Sequence, residues 1–389
     1  LEAKSSILKL TQTNNKVFIA QGNCVCPAGF SLSENISALL NYKSAISLHK
    51  QSPFWNEPFY AAIVEDHLLG LRFDALSLEG TFSKLEKLVL LALLPIVKPH
   101  ASEDKIGFIF STTKGNIDAL SAGRGEINLH KTASKLAQTA GINGEVMVLS
   151  NACVSGLMAI SVAKRLIQEG SFDHVYIAAG DIFSTFVFSG FQSFHAVSLN
   201  PCRPYSANRD GISLGEAAAA TLITRDSTLA GYEAFEILGD SSINDANHIS
   251  GPSRTGEGLH LSIERAIFSA GIKPSDVDAV CAHGTATDYN DEMEAQAFTR
   301  SKMNDAPLFS LKGFFGHTLG AAGLIETIVS LEFGRKNCVP PSLGFDVIGT
   351  TQPLNVSSEL RHKSIHVLLK TASGFGGSNT AVVFKKRIN

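Results

Sequence analysis

Apolar positions along the chain fall into two alternating rhythms: short β-rich runs, and longer stretches with helical spacing. The spacing predicts strands over Lys16–Gly22, Lys105–Ser111, Glu145–Ser150, His174–Ala179 and Ala217–Thr224. A helix over Phe30–Leu40, starting near Ser31 or Ser33, falls between the first two, and a second over Gly156–Glu169 follows Asn151-Ala152-Cys153 directly. Further on, strands are predicted over Asp278–Ala282, Pro307–Leu311, Ser364–Thr371 and Ala381–Lys385, with a helix over Ala321–Phe333. Strands alternating with helices predict an α/β architecture. The order of elements also recurs, and VSGLMAISVAKRLIQEG aligns loosely with LGAAGLIETIVSLEFGR. That is the signature of one duplicated α/β unit rather than of a short repeat. A seam near Asp226–Tyr232 divides the chain into halves at 15–228 and 229–389. With no flexible linker between them, the halves should pack as one body, with strand ends meeting at a shared site.

Composition narrows the function classes. The chain has 389 residues, 44% of them hydrophobic and 18% charged, which fits a large packed core. A formal net charge of -3 without a basic arm argues against nucleic acid as a partner, while a local basic patch for an acidic carrier protein stays compatible. The longest apolar run, Leu88–Val97, is short for a bilayer and contains Pro95, so a buried helix is expected and no membrane span. Leu1–Lys16 carries no signal-peptide pattern. Cys24, Cys26, Cys153, Cys202, Cys281 and Cys338 form no CxxC pair and no metal-ligand spacing. Free thiols, a cytoplasmic setting and no bound metal are the expectation. Cys24-Val25-Cys26 reads as strand, with both thiols structural.

Four segments carry candidate chemistry. Cys153, in SNACVSG, sits between a β-rich run and an apolar helix, where unpaired N–H groups and the helix dipole favour a thiolate. His283 closes a predicted strand and is followed by Gly284, Thr285 and Thr287, which leave room for a ligand and can hydrogen-bond it. His317 lies in SLKGFFGHTLGAAG, with Lys312 upstream and glycines at 313, 316, 320 and 323 that let backbones approach. That segment lacks the GK[ST] order of a nucleotide loop. GFGGSN, at Gly374–Asn379, permits positive φ and presents backbone N–H groups. Taken singly, each has an ordinary structural reading: a buried thiol, a strand-end imidazole, a glycine turn. Together, all at the ends of predicted strands, they fit acyl transfer, which needs an activated thiol, oxyanion donors and groups that hold the leaving species.

SNACVSG, HGTATDYNDEMEAQA, SLKGFFGHTLGAAG and GFGGSN, with CRPYSANRDGISLGEAAAATLI before the halfway point, resemble in order and spacing the motifs of the elongating β-ketoacyl-acyl-carrier-protein synthases. The resemblance implies the thiolase-like fold, two duplicated α/β halves in five α-β-α-β-α layers. It implies a decarboxylating Claisen condensation, in which an acyl group rests on Cys153 and malonyl carrier supplies two carbons. It assigns Cys153, His283, His317 and Lys312 to catalysis. Backbone N–H groups of Cys153 and Phe375 would form the oxyanion hole, with Phe375, Gly376 and Phe191 at the gate of the acyl pocket. Asp291, Glu294 and Glu326 would join Lys312 in a polar network, and Thr285 and Thr287 would bind pantetheine. No resident cofactor is implied, because phosphopantetheine arrives on the acyl carrier protein. A homodimer is implied, with a heterodimer containing a related synthase-like subunit as the alternative.

The chain also departs from the family pattern. Asn151, Val154 and Gly156 stand around the nucleophile where TACSS or similar is usual, Ser111–Asn116 replaces a more apolar stretch, and Ser373 replaces a phenylalanine. These polar changes argue against an ordinary saturated fatty acyl substrate and toward the polyene and aryl-polyene pigment branch, with Lys114 affecting chain length or partner pairing. The competing readings are a non-catalytic chain-length-factor subunit, which would lack the nucleophile, a thiolase, which would need a second cysteine as base, and an initiating synthase, which would carry asparagine at His317.

Overall fold

In a computed structural model describing residues 16–50, 57–123, 125–246, 251 and 253–387, the predicted strands assemble into one eleven-stranded sheet. Its strands are β1 (Phe18–Ile19), β2 (Asn23–Val25), β3 (Ile106–Ser111), β4 (Glu145–Leu149), β5 (His174–Asp181), β6 (Ala217–Thr224), β7 (Phe235–Asn244), β8 (Ala279–Cys281), β9 (Leu308–Phe309), β10 (Val367–Gly374) and β11 (Ser378–Lys386). They run in the order β9-β8-β10-β11-β7-β1-β6-β5-β3-β4, with β2 paired to β6. The duplication is visible here. Counting within each half, both arms follow third–second–fourth–fifth–first, with three parallel strands and then an antiparallel fifth. β1 joins them, antiparallel to β6 on one side and to β7 on the other.

Strand parity sets the layers, because successive side chains point to opposite faces of a sheet. On β5, Val175, Ile177 and Ala179 enter a central core, while Tyr176 and Ala178 enter an outer one covered by α1 (Lys84–Leu93) and α2 (Leu129–Thr139). In the second half, Cys281, Leu368 and Val382 face the same central core. Val280, Leu369 and Val383 face a second outer core, supplied by α5 (Glu257–Ala270) and α6 (Asp288–Arg300). The central layer is α3 (Ser155–Gln168) and α7 (Ala322–Arg335), the two stretches whose sequences align. The result is the α-β-α-β-α stack. α4 (Thr185–Ser193) stands apart, at the C-terminal end of β5.

The central helices meet through glycines. A Cβ on Gly156 would sit 2.7 Å from Gly320 O, and one on Gly323 would sit 2.6 Å from Leu157 N. Elsewhere the helix starts obey local rules. Ser31 caps Leu32–Leu40 by accepting from Glu34 N–H, and Ser83 and Glu86 form a capping box at α1. α1, continued by a short 3-10 turn to Ile96, is the buried helix expected from the apolar run around Pro95. No helix among the described residues is long and apolar enough to cross a membrane.

Several predictions need correction. The strand expected over Lys16–Gly22 shortens to β1, with Gly22 packed against Ala220 O and the Ile328 side chain just before β2, which takes up the Cys24-Val25 strand reading. Pro307–Leu311 shrinks to two residues, since Leu311 already starts the turn into a short helix, Lys312–Phe315. β7, α2, α5 and α6 went unnoticed in the pattern. The reading of the N-terminus rests on residues 1–15, outside the described residues.

Candidate active site

The turn between β4 and α3 is built by short side chains. Ala152 adopts φ +42°, a left-handed conformation that alanine tolerates poorly and that marks a constrained turn. Ser155 stitches it by accepting from Asn151 N–H at 2.7 Å and donating to Ala152 O at 2.6 Å. Cys153 emerges at the turn, 7% exposed. Gly374 closes over it, since a Cβ there would lie 3.1 Å from Cys153 N. Ser378, at the base of the same β10–β11 hairpin, donates to Asn151 Oδ1 at 3.0 Å.

His317 reaches the sulfur from the second half, with Nε2 3.1 Å from Cys153 Sγ. Its backbone is pinned to the first half: His317 N–H donates to Ser213 O, and Gly215 N–H donates to His317 O. Around it, Cβ atoms on Gly313, Gly316, Gly320 and Gly323 would each lie under 3 Å from another group, so these glycines do let the chains approach. Leu319 N–H donates to His317 Nδ1 at 3.2 Å, which leaves the ring proton of the neutral imidazole on Nε2, facing the sulfur. His283 stands edge-on to His317, with ring centroids 5.2 Å apart and planes at 83°. Lys312 Nζ donates toward His283 Nδ1 at 3.3 Å, so this ring also carries its proton on Nε2.

Buried charge holds the pair in place. Lys312 and Lys370 are both fully buried and share Glu326, at 2.7 and 2.6 Å. Lys312 Nζ also donates to His283 O at 2.6 Å, while Lys370 Nζ donates to Thr371 O at 2.8 Å. Two ammoniums against one carboxylate leave a positive excess. Burial first, and the Lys312 charge second, hold both imidazoles well below the usual histidine value, hence neutral.

Asp291 and Glu294 do not join this knot, contrary to expectation. Glu294 accepts from His283 N–H and Gly284 N–H and from the Tyr205 hydroxyl. Asp291 accepts from Thr285, Ala286 and Tyr205 N–H. Both sit on α6 and shape the backbone that presents His283. The expected low thiol pKa is corrected as well. Burial dominates the helix end and pushes the Cys153 thiol up to about 11, opposed by Lys312 and Lys114.

A cavity of about 330 Å³ opens onto Cys153, His283 and His317, lined also by Thr285, Thr287 and Ser373. Phe191 and Phe375 stack at 5.5 Å along its edge. Gly376 lines neither this cavity nor the one adjoining it, because it points outward at the tip of the hairpin turn with φ +85°. Sequence reasoning missed Lys370, Tyr205 and Asp181. Asp181, buried at the end of β5, accepts from Thr112 and Thr113 hydroxyls and from Thr113 and Gly320 N–H, tying the Ser111–Asn116 loop to the His317 loop. The strand-end position of Asp181, before a polar loop, was the available signal. His100, Asp104 and His174 also gather with ligand atoms within 4.8 Å of one another, a spacing the chain order hides.

Comparison with known proteins identifies the family and the fold. The family described as Beta-ketoacyl synthase, N-terminal domain, matches residues 105–228, and its C-terminal domain counterpart matches residues 234–346. A protein of Schizosaccharomyces pombe named as a mitochondrial 3-oxoacyl-[acyl-carrier-protein] synthase is 31% identical over 320 residues, 72% of this chain and 74% of its own. The 3-oxoacyl-[acyl-carrier-protein] synthase 2 of Rhizobium meliloti is 34% identical, over 60% of this chain and 59% of its own. Among solved structures, a ketosynthase in complex with its chain length factor from Xenorhabdus doucetiae superposes with a TM-score of 0.82 at 23% identity, covering 96% of this chain and 98% of that one. The ishigamide ketosynthase/chain length factor gives 0.84 at 21%, covering 96% and 99%.

Proposed function

We propose a reaction from the premise that this chain belongs to the β-ketoacyl synthase family: Cys153 takes an acyl group from a carrier's phosphopantetheine and condenses it with malonyl carrier, releasing CO₂. The observation that carries the assignment is the 3.1 Å approach of His317 Nε2 to Cys153 Sγ, with His283 beside it. In acylation the Cys153 sulfur–acyl bond forms and the pantetheine sulfur–acyl bond breaks, the thiol proton ending on the pantetheine sulfur. Backbone N–H groups of Cys153 and Phe375 serve the oxyanion, a donor of this kind being worth about 10²–10³ in rate. Because His317 Nε2 carries a proton, the ring stabilises the thiolate by donation rather than removing the thiol proton itself.

In the second stage malonyl carrier loses CO₂ and its enolate oxygen faces two Nε2–H donors. Neutral imidazoles suit this role: they supply hydrogen bonds where charge develops without binding the ground-state carboxylate as fixed cations would. The enolate carbon attacks the Cys153 thioester, a carbon–carbon bond forms, and the sulfur departs. Thr285 and Thr287 hydrogen-bond the pantetheine amides in this reading, which is supported by their hydroxyls lying 2.9 Å apart in the cavity wall. An acyl carrier protein is therefore the expected partner. Solved relatives are described in complex with a chain length factor, which favours a heterodimer in which this chain, carrying Cys153 and both histidines, is the catalytic half. The polar Ser111–Asn116 loop and Ser373 favour the polyene or polyketide branch over saturated fatty acids.

Intact-mass measurement after incubation with a panel of acyl carriers tests this reading. An acyl adduct on Cys153 is expected, abolished in Cys153→Ala while malonyl decarboxylation persists, and His317→Ala should depress decarboxylation more than acylation. Net hydrolysis of the thioesters, or no adduct on Cys153, refutes it.

A further inference from the structure

Adjoining the first cavity at Cys153 and the Phe191–Phe375 stack, which line both, lies a second cavity of about 580 Å³. Thr113, Val187, Phe194 and Leu319 contribute to its walls, and among the described residues Lys114 is its one charged lining group. Lys114 Nζ donates to Thr113 Oγ1 at 3.2 Å, and that hydroxyl donates onward to Asp181 Oδ1 at 2.9 Å. Asp181 is already occupied by Thr112 Oγ1, Thr113 N–H and Gly320 N–H. The half-buried ammonium thus has a neutral hydroxyl for company in a largely aromatic and aliphatic chamber, an arrangement that favours an incoming anion. Its field also reaches the reacting groups, since Lys114 is among the charges that lower the Cys153 thiol and the His317 ring.

We propose that this chamber receives acyl groups ending in a carboxylate, and that Lys114 is the residue that selects them. The inference rests on the reading of Cys153 as the acylated nucleophile. Loading is an ordinary thioester exchange: the acyl carbon leaves the donor sulfur for Cys153, the Cys153 thiol proton passes to the departing donor sulfur, and the far carboxylate stays ionised against Lys114 Nζ. A purely alkyl chain of the same length leaves that ammonium with only the Thr113 hydroxyl and displaces whatever water solvates it. A charge-assisted hydrogen bond of this kind corresponds to about a ten- to hundredfold preference.

The test compares glutaryl-pantetheine with hexanoyl-pantetheine as donors to the full chain, read as the rate of the mass adduct on Cys153. Glutaryl should load about ten- to hundredfold faster in the wild type. Lys114→Met, close in size and uncharged, should erase or invert that ratio, and Lys114→Arg should keep most of it. Hexanoyl loading in Lys114→Met shows that the variant is folded. If hexanoyl loads at least as fast as glutaryl in the wild type, the inference is overturned and the synthase reading survives. If neither donor loads Cys153, both fall. If Lys114→Met changes the subunit stoichiometry and leaves the ratio unchanged, Lys114 is an interface residue and the proposal is overturned.

Discussion

Glu326→Gln removes the carboxylate that two buried ammoniums share. In the wild type, Glu326 meets Lys312 at 2.7 Å and Lys370 at 2.6 Å, with all three side chains 2% exposed or less. The variant raises the local charge from one positive to two. Deleting one partner of a buried pair typically costs about 3–5 kcal/mol, because the remaining charge is left uncompensated. An independent bound agrees: a lysine with a reference pKa near 10.4 that is forced neutral at pH 7 gives up about 3.4 units, about 4.6 kcal/mol. The pH dependence has a definite sign. A lysine whose folded pKa lies below its unfolded value binds fewer protons when folded, so stability rises with pH up to about 10.4. The deficit of Glu326→Gln relative to wild type should therefore shrink by about 1.4 kcal/mol per pH unit between pH 7 and 9. Urea unfolding of both proteins across that range measures it. Lys370→Met/Glu326→Gln restores the single net charge, so the two substitutions should couple by at least about 1 kcal/mol in a double-mutant cycle. A loss under about 1 kcal/mol, a deficit flat with pH, or strict additivity refutes the electrostatic account of this knot.

Gly323→Ala should cost about 1–3 kcal/mol in urea unfolding, since its Cβ would lie 2.6 Å from Leu157 N and must push the two central helices apart. Condensation should fall by about 10², the usual effect of displacing reacting groups by about 1 Å, and an unchanged turnover would separate the helix contact from the site. His283 and His317 are held well below their usual value, so the unfolded state takes up protons first as pH drops. Between pH 7.5 and 5.5 the pair should cost about 2.7 kcal/mol of stability relative to His283→Gln/His317→Gln, and parallel stability curves for the two proteins would show that the rings titrate normally.

The parts of this molecule legible in its sequence were those written locally. Strand β6 matches its predicted Ala217–Thr224 to the residue, because it is a mostly apolar run, interrupted only by Thr221 before its last residue, and buried on both faces. α3 and α7 were legible through their alignment, and their glycines do mark close contact. The rest depended on partners distant in the chain. α6 reads as a polar stretch, DYNDEMEAQA, because its buried Asp291 and Glu294 spend their charge on backbone N–H groups that come from the His283 loop and from Tyr205. β7 mixes polar and apolar residues, and the side chain of its Asp240, 6% exposed, is matched by Lys164 and Arg165, which come from α3. Lys370 looks like an ordinary strand lysine until Glu326 is brought beside it.

The same reasoning explains why the chemistry needs both halves. Cys153 stands where β4 gives way to α3, His283 follows β8, and His317 follows β9 and the short helix Lys312–Phe315. The duplicated arms of the sheet bring these corresponding strand ends to one site, and the glycine contact between α3 and α7 fixes their separation. His317 is held by Ser213 and Gly215 of the first half, while the turn at Asn151 is held by Ser378 of the second. Each half therefore positions the reacting group that the other contributes. Neither half alone would retain the 3.1 Å contact between sulfur and imidazole, so separating them should abolish acylation even where each fold survives.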